Sequence, residues 1–187
     1  NSVEPKFKKK RTQCNMPSPQ KAKGSSWERD VAKFLTTLYG ETFIRAPGSG
    51  AYVGGINTKR KEILHEGQVR AFKGDIVPGQ SFPNFNAECK SYKTFPFHRL
   101  LFPDPLPILE EWISQLMDVA DPNDFNILIM KFNHIGKYIA VESKHNTKAK
   151  NYIDYWSNTT GSNWRLSNYE EFFTMNSDLV KTLSAKQ

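Results

Sequence analysis

Trp27, Val31, Phe34, Leu35 and Leu38 fall on one face at helical spacing, behind Ser25 and Ser26 and ahead of Gly40. That pattern predicts a first helix beginning after the serines and stopped by the glycine. Thr42 to Arg45 then reads as a short strand, closed by the Pro47-Gly48-Ser49-Gly50 turn. The Gly- and Lys-containing stretch up to Gly74 reads as a hairpin or loop. Asp75-Ile76-Val77 and Phe85 to Lys90 predict two consecutive strands joined through Pro78-Gly79, the second alternating at a period of two.

After a connection containing Pro96, Pro103, Pro105 and Pro107, one face of Leu106, Leu109, Ile113, Leu116 and Ala120 predicts a second helix, ending at Asp121-Pro122. That stripe serves core packing or dimer packing. Phe125 to Phe132 and Tyr138 to Val141 predict a hairpin turned through Asn133 to Gly136. Residues 143–187 read as an aromatic C-terminal extension, irregular apart from a short helix from Asn168 with Glu171 as its capping partner. The succession predicts an α/β fold, a central mixed β-sheet flanked by helices.

At 187 residues the chain is long enough for one ordinary domain. Residues 1–23, with Pro5, Pro17 and Pro19 among Lys, Gln, Asn and Ser, are expected to form a flexible basic arm, and residues 24–187 a single domain. No apolar run reaches the roughly 18 residues of a bilayer span, and the N-terminal stretch has no apolar signal-peptide segment. A cytoplasmic protein without a membrane partner is expected, in the host cytoplasm if the source is viral. Cys14 and Cys89 alone give neither a disulfide framework nor a clustered zinc site. His65, His98, His134 and His145 have no ligand spacing.

The net charge of +7 is unevenly placed. The arm holds Lys6, Lys8, Lys9, Lys10, Arg11, Lys21 and Lys23 against Glu4 alone, and residues 45–99 carry nine basic against four acidic residues. This distribution suits a polyanion such as nucleic acid, whose phosphates reward each neutralising cation by releasing counterions. A solubilising tail and solvated loops would give the same totals.

Candidate chemistry lies in Asp75 and, within one strand, Glu88 and Lys90. Residues two apart share a face, so Glu88, Lys90 and Asn86 project together while Phe85, Ala87 and Cys89 turn to the other side. With Asp75 on the neighbouring strand, two carboxylates and the main-chain carbonyl of Cys89 offer hard oxygen donors for Mg2+, with Mn2+ as a substitute. Phosphodiester hydrolysis needs such an ion beside a cation that positions the nucleophile or stabilises developing charge, here Lys90. A strand-edge salt bridge from Glu88 to Lys90 or Lys93 is the plainer alternative. Glu28, one turn into the first helix, is either a further metal ligand or the partner of Ser25 in a capping box.

The run Lys23-Gly24-Ser25-Ser26-Trp27-Glu28-Arg29-Asp30, then Phe43-Ile44-Arg45, Gly48-Ser49-Gly50, Gly74-Asp75-Ile76-Val77 and Ala87-Glu88-Cys89-Lys90 resembles the archaeal-type Holliday junction resolvases. These belong to the PD-(D/E)xK nuclease superfamily, whose phage and viral members share the signature. The resemblance covers roughly residues 23–142. It implies a restriction-endonuclease-like fold, Mg2+-dependent cleavage of branched, four-way-junction DNA, and a homodimer. It also implies Glu28, Asp75, Glu88 and Lys90 as catalytic residues, Arg45 as a DNA-contacting or catalytic arginine, Ser49 as the loop serine and Gln115 as an accessory polar residue. Other enzymes of the superfamily, restriction-like or DNA-repair, and a catalytically silent DNA-binding protein are the alternatives.

The chain departs from that pattern in two places. Gly74 stands where a proline is usual, and residues 51–74 form an insert carrying Lys59, Arg60, Lys61, Arg70 and Lys73. These five cations, with Lys93, are expected to contact DNA.

Overall fold

A computed structural model describes residues 19–47 and 73–185, with side chains from Gly24 onward. The elements are α1 (Pro19–Tyr39), β1 (Ile44–Arg45), β2 (Ile76–Val77), β3 (Phe85–Tyr92), α2 (Pro107–Met117), β4 (Phe125–Phe132), β5 (Gly136–Glu142), β6 (Tyr152–Ser157), β7 (Ser162–Asn168) and α3 (Tyr169–Ser184). Among them no helix is long and apolar enough to cross a membrane.

Five strands form one mixed sheet in the order β3-β4-β5-β7-β6. β3 and β4 run parallel, Phe85 opposite Phe125 and Lys90 opposite Met130, and the other neighbours are antiparallel. The parallel pair is joined through α2, as a crossover requires. β1 and β2 make a separate antiparallel ladder, Arg45 opposite Ile76.

Alternation along the strands divides the core between two faces. Phe85, Ala87 and Cys89 of β3 with Ile127 and Ile129 of β4 pack against Trp27, Val31 and Leu35 of α1 and against Phe172, Phe173 and Val180 of α3. Leu128, Met130 and Phe132 turn to the opposite face, onto Leu109, Trp112, Ile113 and Leu116 of α2. The expected α/β architecture, a mixed sheet between helices, is the one observed.

Two expectations are corrected. Helix α1 opens at Pro19, so Ser25 lies inside it and does not form an N-terminal cap for Glu28. The supposedly irregular C-terminal stretch is a β-hairpin followed by a 16-residue helix. β7 joins the main sheet beside β5, and α3 supplies part of the core. Its start is as the sequence indicates, because the Asn168 side chain accepts from the Glu171 N–H at 3.0 Å.

Candidate active site

β3 is an outer strand of the sheet, and both its side chains and its free edge carry polar chemistry. Asn86, Glu88 and Lys90 project toward α2, as the two-residue period predicts. The Asn86 amide donates to Leu116 O at 3.1 Å and to Asn126 Oδ1 at 2.8 Å. Lys90 Nζ donates to Glu88 Oε1 at 2.6 Å and also to Gln115 Oε1. Gln115 in turn donates through Nε2 to Glu111 Oε1 at 3.1 Å, one helical turn earlier. Glu111 was not singled out from the sequence, although its i, i+4 spacing to Gln115 was a usable signal.

Asp75 is brought to the edge of β3 by its backbone. Its N–H donates to Ala87 O at 2.8 Å, its carbonyl accepts from Ala46 N at 2.8 Å, and its Oδ2 accepts from Cys89 N at 2.8 Å. A strand residue directs its N–H and C=O to the same side, so the Cys89 carbonyl also points to this edge, next to the Asp75 carboxylate. The preceding Gly74 has φ of +64°, and a Cβ there would lie 2.6 Å from Ala87 O. Proline, locked near −65°, cannot adopt that conformation, so glycine at this position is a backbone requirement.

The electrostatics of the group are unbalanced. Asp75 is 4% exposed, and its pKa is pushed up to about 7 by burial first and by the Glu88 carboxylate next, with Glu28 adding to the effect. Glu88 is also raised, by burial foremost and by Glu28, against the opposing pull of Lys90. The Cys89 thiol is raised by burial and by the same carboxylates, which keeps it a neutral core group and unfit as a nucleophile.

Glu28, 8% exposed on α1, receives a hydrogen bond from Arg45 Nε. The sequence offered it a cap or a metal; its partner here is an arginine 17 residues away. Among the described residues no three His, Cys, Asp or Glu side chains are gathered closely enough to enclose a metal ion. The oxygens grouped on β3 and its edge are Asp75, Glu88 and the Cys89 carbonyl, with Glu28 close enough to act on both carboxylates but engaged by Arg45. This donor set fits a hard divalent cation. It is all oxygen and largely desolvated, and burial first, then the neighbouring carboxylates, raise the pKa of Asp75, a cost of ionisation that a bound dication would offset.

The expected DNA-contacting cations separate. Lys93 is exposed just beyond β3. Lys73, also expected to contact DNA, is 8% exposed, donates to Asp121 Oδ2 at 2.8 Å and pairs with Asp124. Ser49, Lys59, Arg60, Lys61 and Arg70 lie outside the described residues.

A family model described as phage putative PDDEXK endonuclease matches residues 19–186. No curated protein and no solved structure matches the chain.

Proposed function

The chain belongs to this phage PDDEXK endonuclease family, and we propose that it is a metal-dependent, structure-selective DNA endonuclease that resolves four-way junctions as a homodimer. The carrying observation is that β3 presents Glu88 and Lys90 side by side while its free edge binds Asp75 through Cys89 N. The junction preference and the dimer are supported by the order of the motifs from Glu28 to Lys90. Two sites related by a twofold axis suit paired incision of opposing strands.

A divalent cation, Mg2+ or Mn2+, held by Asp75, Glu88 and the Cys89 carbonyl would supply Lewis acidity toward a water and the scissile phosphate. Lys90 places an ammonium beside these carboxylates, where it stabilises charge developing on phosphate oxygens. Gln115 holds that ammonium from the α2 side and so restricts its position. Arg45 pairs with Glu28 beside the site, and its own side chain remains 28% exposed, within reach of a DNA backbone. Selectivity follows the shape of the branched backbone rather than base edges, since a resolvase accepts many sequences.

The test compares a four-way junction with a linear duplex of the same sequence, in Mg2+ and in EDTA. Junction cutting that needs Mg2+ and spares the duplex supports the proposal. Equal cutting of both removes the junction preference, and binding without cutting removes the nuclease. Asp75→Asn, Glu88→Gln and Lys90→Ala should each abolish cutting while junction binding persists, because phosphate contacts elsewhere supply the affinity.

A further inference from the structure

Lys73 stands two residues before Asp75 in the chain, at the base of the segment that carries Asp75 to the edge of β3. Its ammonium is held by the turn between α2 and β4. That turn is itself tied: Asp121 N donates to Asp124 Oδ2 at 2.6 Å, and Asp124 N donates to Asp121 O at 3.0 Å. One residue further on, Phe125 N donates to Asn84 O at 2.7 Å, which fixes the turn to the start of β3. The chain then passes from Lys73 through Gly74, which has no room for a side chain against Ala87 O, to Asp75, anchored at its N–H, carbonyl and carboxylate.

We propose that Lys73 is a positioning residue: clamped by Asp121 and Asp124, it fixes the 73–75 backbone so that the Asp75 carboxylate stands at Cys89 N. A buried ion pair adds little net stability, because desolvation offsets the attraction, but it is directional, and an apolar anchor would not set the same register. Among the described residues, the hydrogen bonds to β3 are made at the Asp75 end of this segment and the ion pair holds the Lys73 end. A positively charged residue in a basic insert would otherwise be assigned to DNA, and the two roles make opposite predictions. The inference rests on Asp75 being a ligand of the proposed metal site.

The experiment uses the full chain with Lys73→Met, Lys73→Arg and Asp121→Asn. In EDTA, junction affinity and its salt dependence are measured. Mn2+ binding to the DNA-free protein is followed by electron paramagnetic resonance, and single-turnover cutting is timed at saturating junction. Lys73→Met should leave the salt slope unchanged, weaken Mn2+ binding about tenfold or more, and slow cutting by about tenfold to a hundredfold. Lys73→Arg should recover most of both, and Asp121→Asn should show the same pattern in weaker form. That variant also serves if Lys73→Met does not fold, because Asp121 is the more exposed partner, at 54%. A salt slope reduced by about 0.9 with Mn2+ affinity and saturated rate unchanged would make Lys73 a phosphate contact and overturn the proposal. Lower thermal stability with normal Mn2+ affinity in the folded fraction would reduce it to a structural residue, and also overturn it. If the wild type cuts no DNA, the nuclease reading fails, and the Mn2+ affinities still decide the role of Lys73.

Discussion

Replacing Gly74 by alanine should destabilise the protein far more than the same replacement at Gly161, although the two backbones are nearly alike, with φ of +64° and +62°. A left-handed conformation costs an L-residue about 1 kcal/mol relative to glycine. At Gly161 nothing lies within 4 Å of the added Cβ, so that is the whole penalty. At Gly74 the Cβ would stand 2.6 Å from Ala87 O and 2.9 Å from Asn86 Oδ1, and the first of these is backbone that cannot swing aside. Relief requires residues 74–75 to move off β3, which weakens the bonds from Asp75 N to Ala87 O and from Cys89 N to Asp75 Oδ2. Overpacking of this kind costs about 1–3 kcal/mol, giving a total of roughly 2–4 kcal/mol for Gly74→Ala against about 1 for Gly161→Ala. In a chain of this length each kcal/mol moves the melting temperature by about 2–4 °C, so calorimetry should separate the variants by about 2–12 °C, with Gly74→Ala the lower. Because Asp75 is displaced as well, the folded Gly74→Ala protein should cut at least about tenfold more slowly, with Gly161→Ala unaffected. Equal melting temperatures, or a Gly74→Ala protein with wild-type rate, would refute the close approach as the reason for glycine.

Three further outcomes are expected. The raised pKa of Asp75 means that between about pH 4 and 7 the folded state keeps a proton the unfolded chain has released, so its contribution to stability falls as pH rises through that window. Urea unfolding of the metal-free protein at pH 5 and pH 8 should therefore show Asp75→Asn gaining on the wild type at the higher pH; a constant difference would contradict the assignment. Arg45→Met should cost on the order of 3 kcal/mol by leaving Glu28 buried without its partner, whereas a silent Arg45→Met would mean Glu28 is satisfied elsewhere. Glu110 accepts from Tyr155, Ser157, Asn158 and from Thr159 twice; burial, the largest single influence, would raise its pKa, but these bonds together hold it below the usual range. Glu110→Ala should cost about 1–3 kcal/mol in denaturant unfolding and speed amide exchange at Thr159, and unchanged exchange there would show that the β6–β7 turn does not depend on it.

What the sequence disclosed and what it hid divide along a physical line. Periodicity is a local property, so the α1 stripe, the alternation of β3 and the β4–β5 hairpin were legible from neighbouring residues. β6 and β7 were not, because Asp154, Ser157, Asn163 and Ser167 are poor strand formers, and pairing with β5 decides the matter. The reactive groups were legible for the same local reason, since Glu88 and Lys90 share a face whatever the rest of the chain does.

The partners of charges are another matter, because an ion pair joins residues whose separation in sequence carries no pattern. Glu28 fits a capping box three residues from Ser25, yet the helix extends past the serine and Arg45 takes the carboxylate. Lys73 belongs by composition to a basic insert, yet Asp121, 48 residues on, and Asp124 draw it inside. The role of Gly74 is to lack a side chain where Ala87 O passes, which only the folded backbone reveals. Residue type therefore predicts which groups can react, while burial and long-range pairing decide which of them remain available to a substrate. By that criterion Lys93 is left exposed beyond β3, Lys90 is held beside Glu88 by Gln115, and the lysine nearest Asp75 in sequence is engaged by two carboxylates.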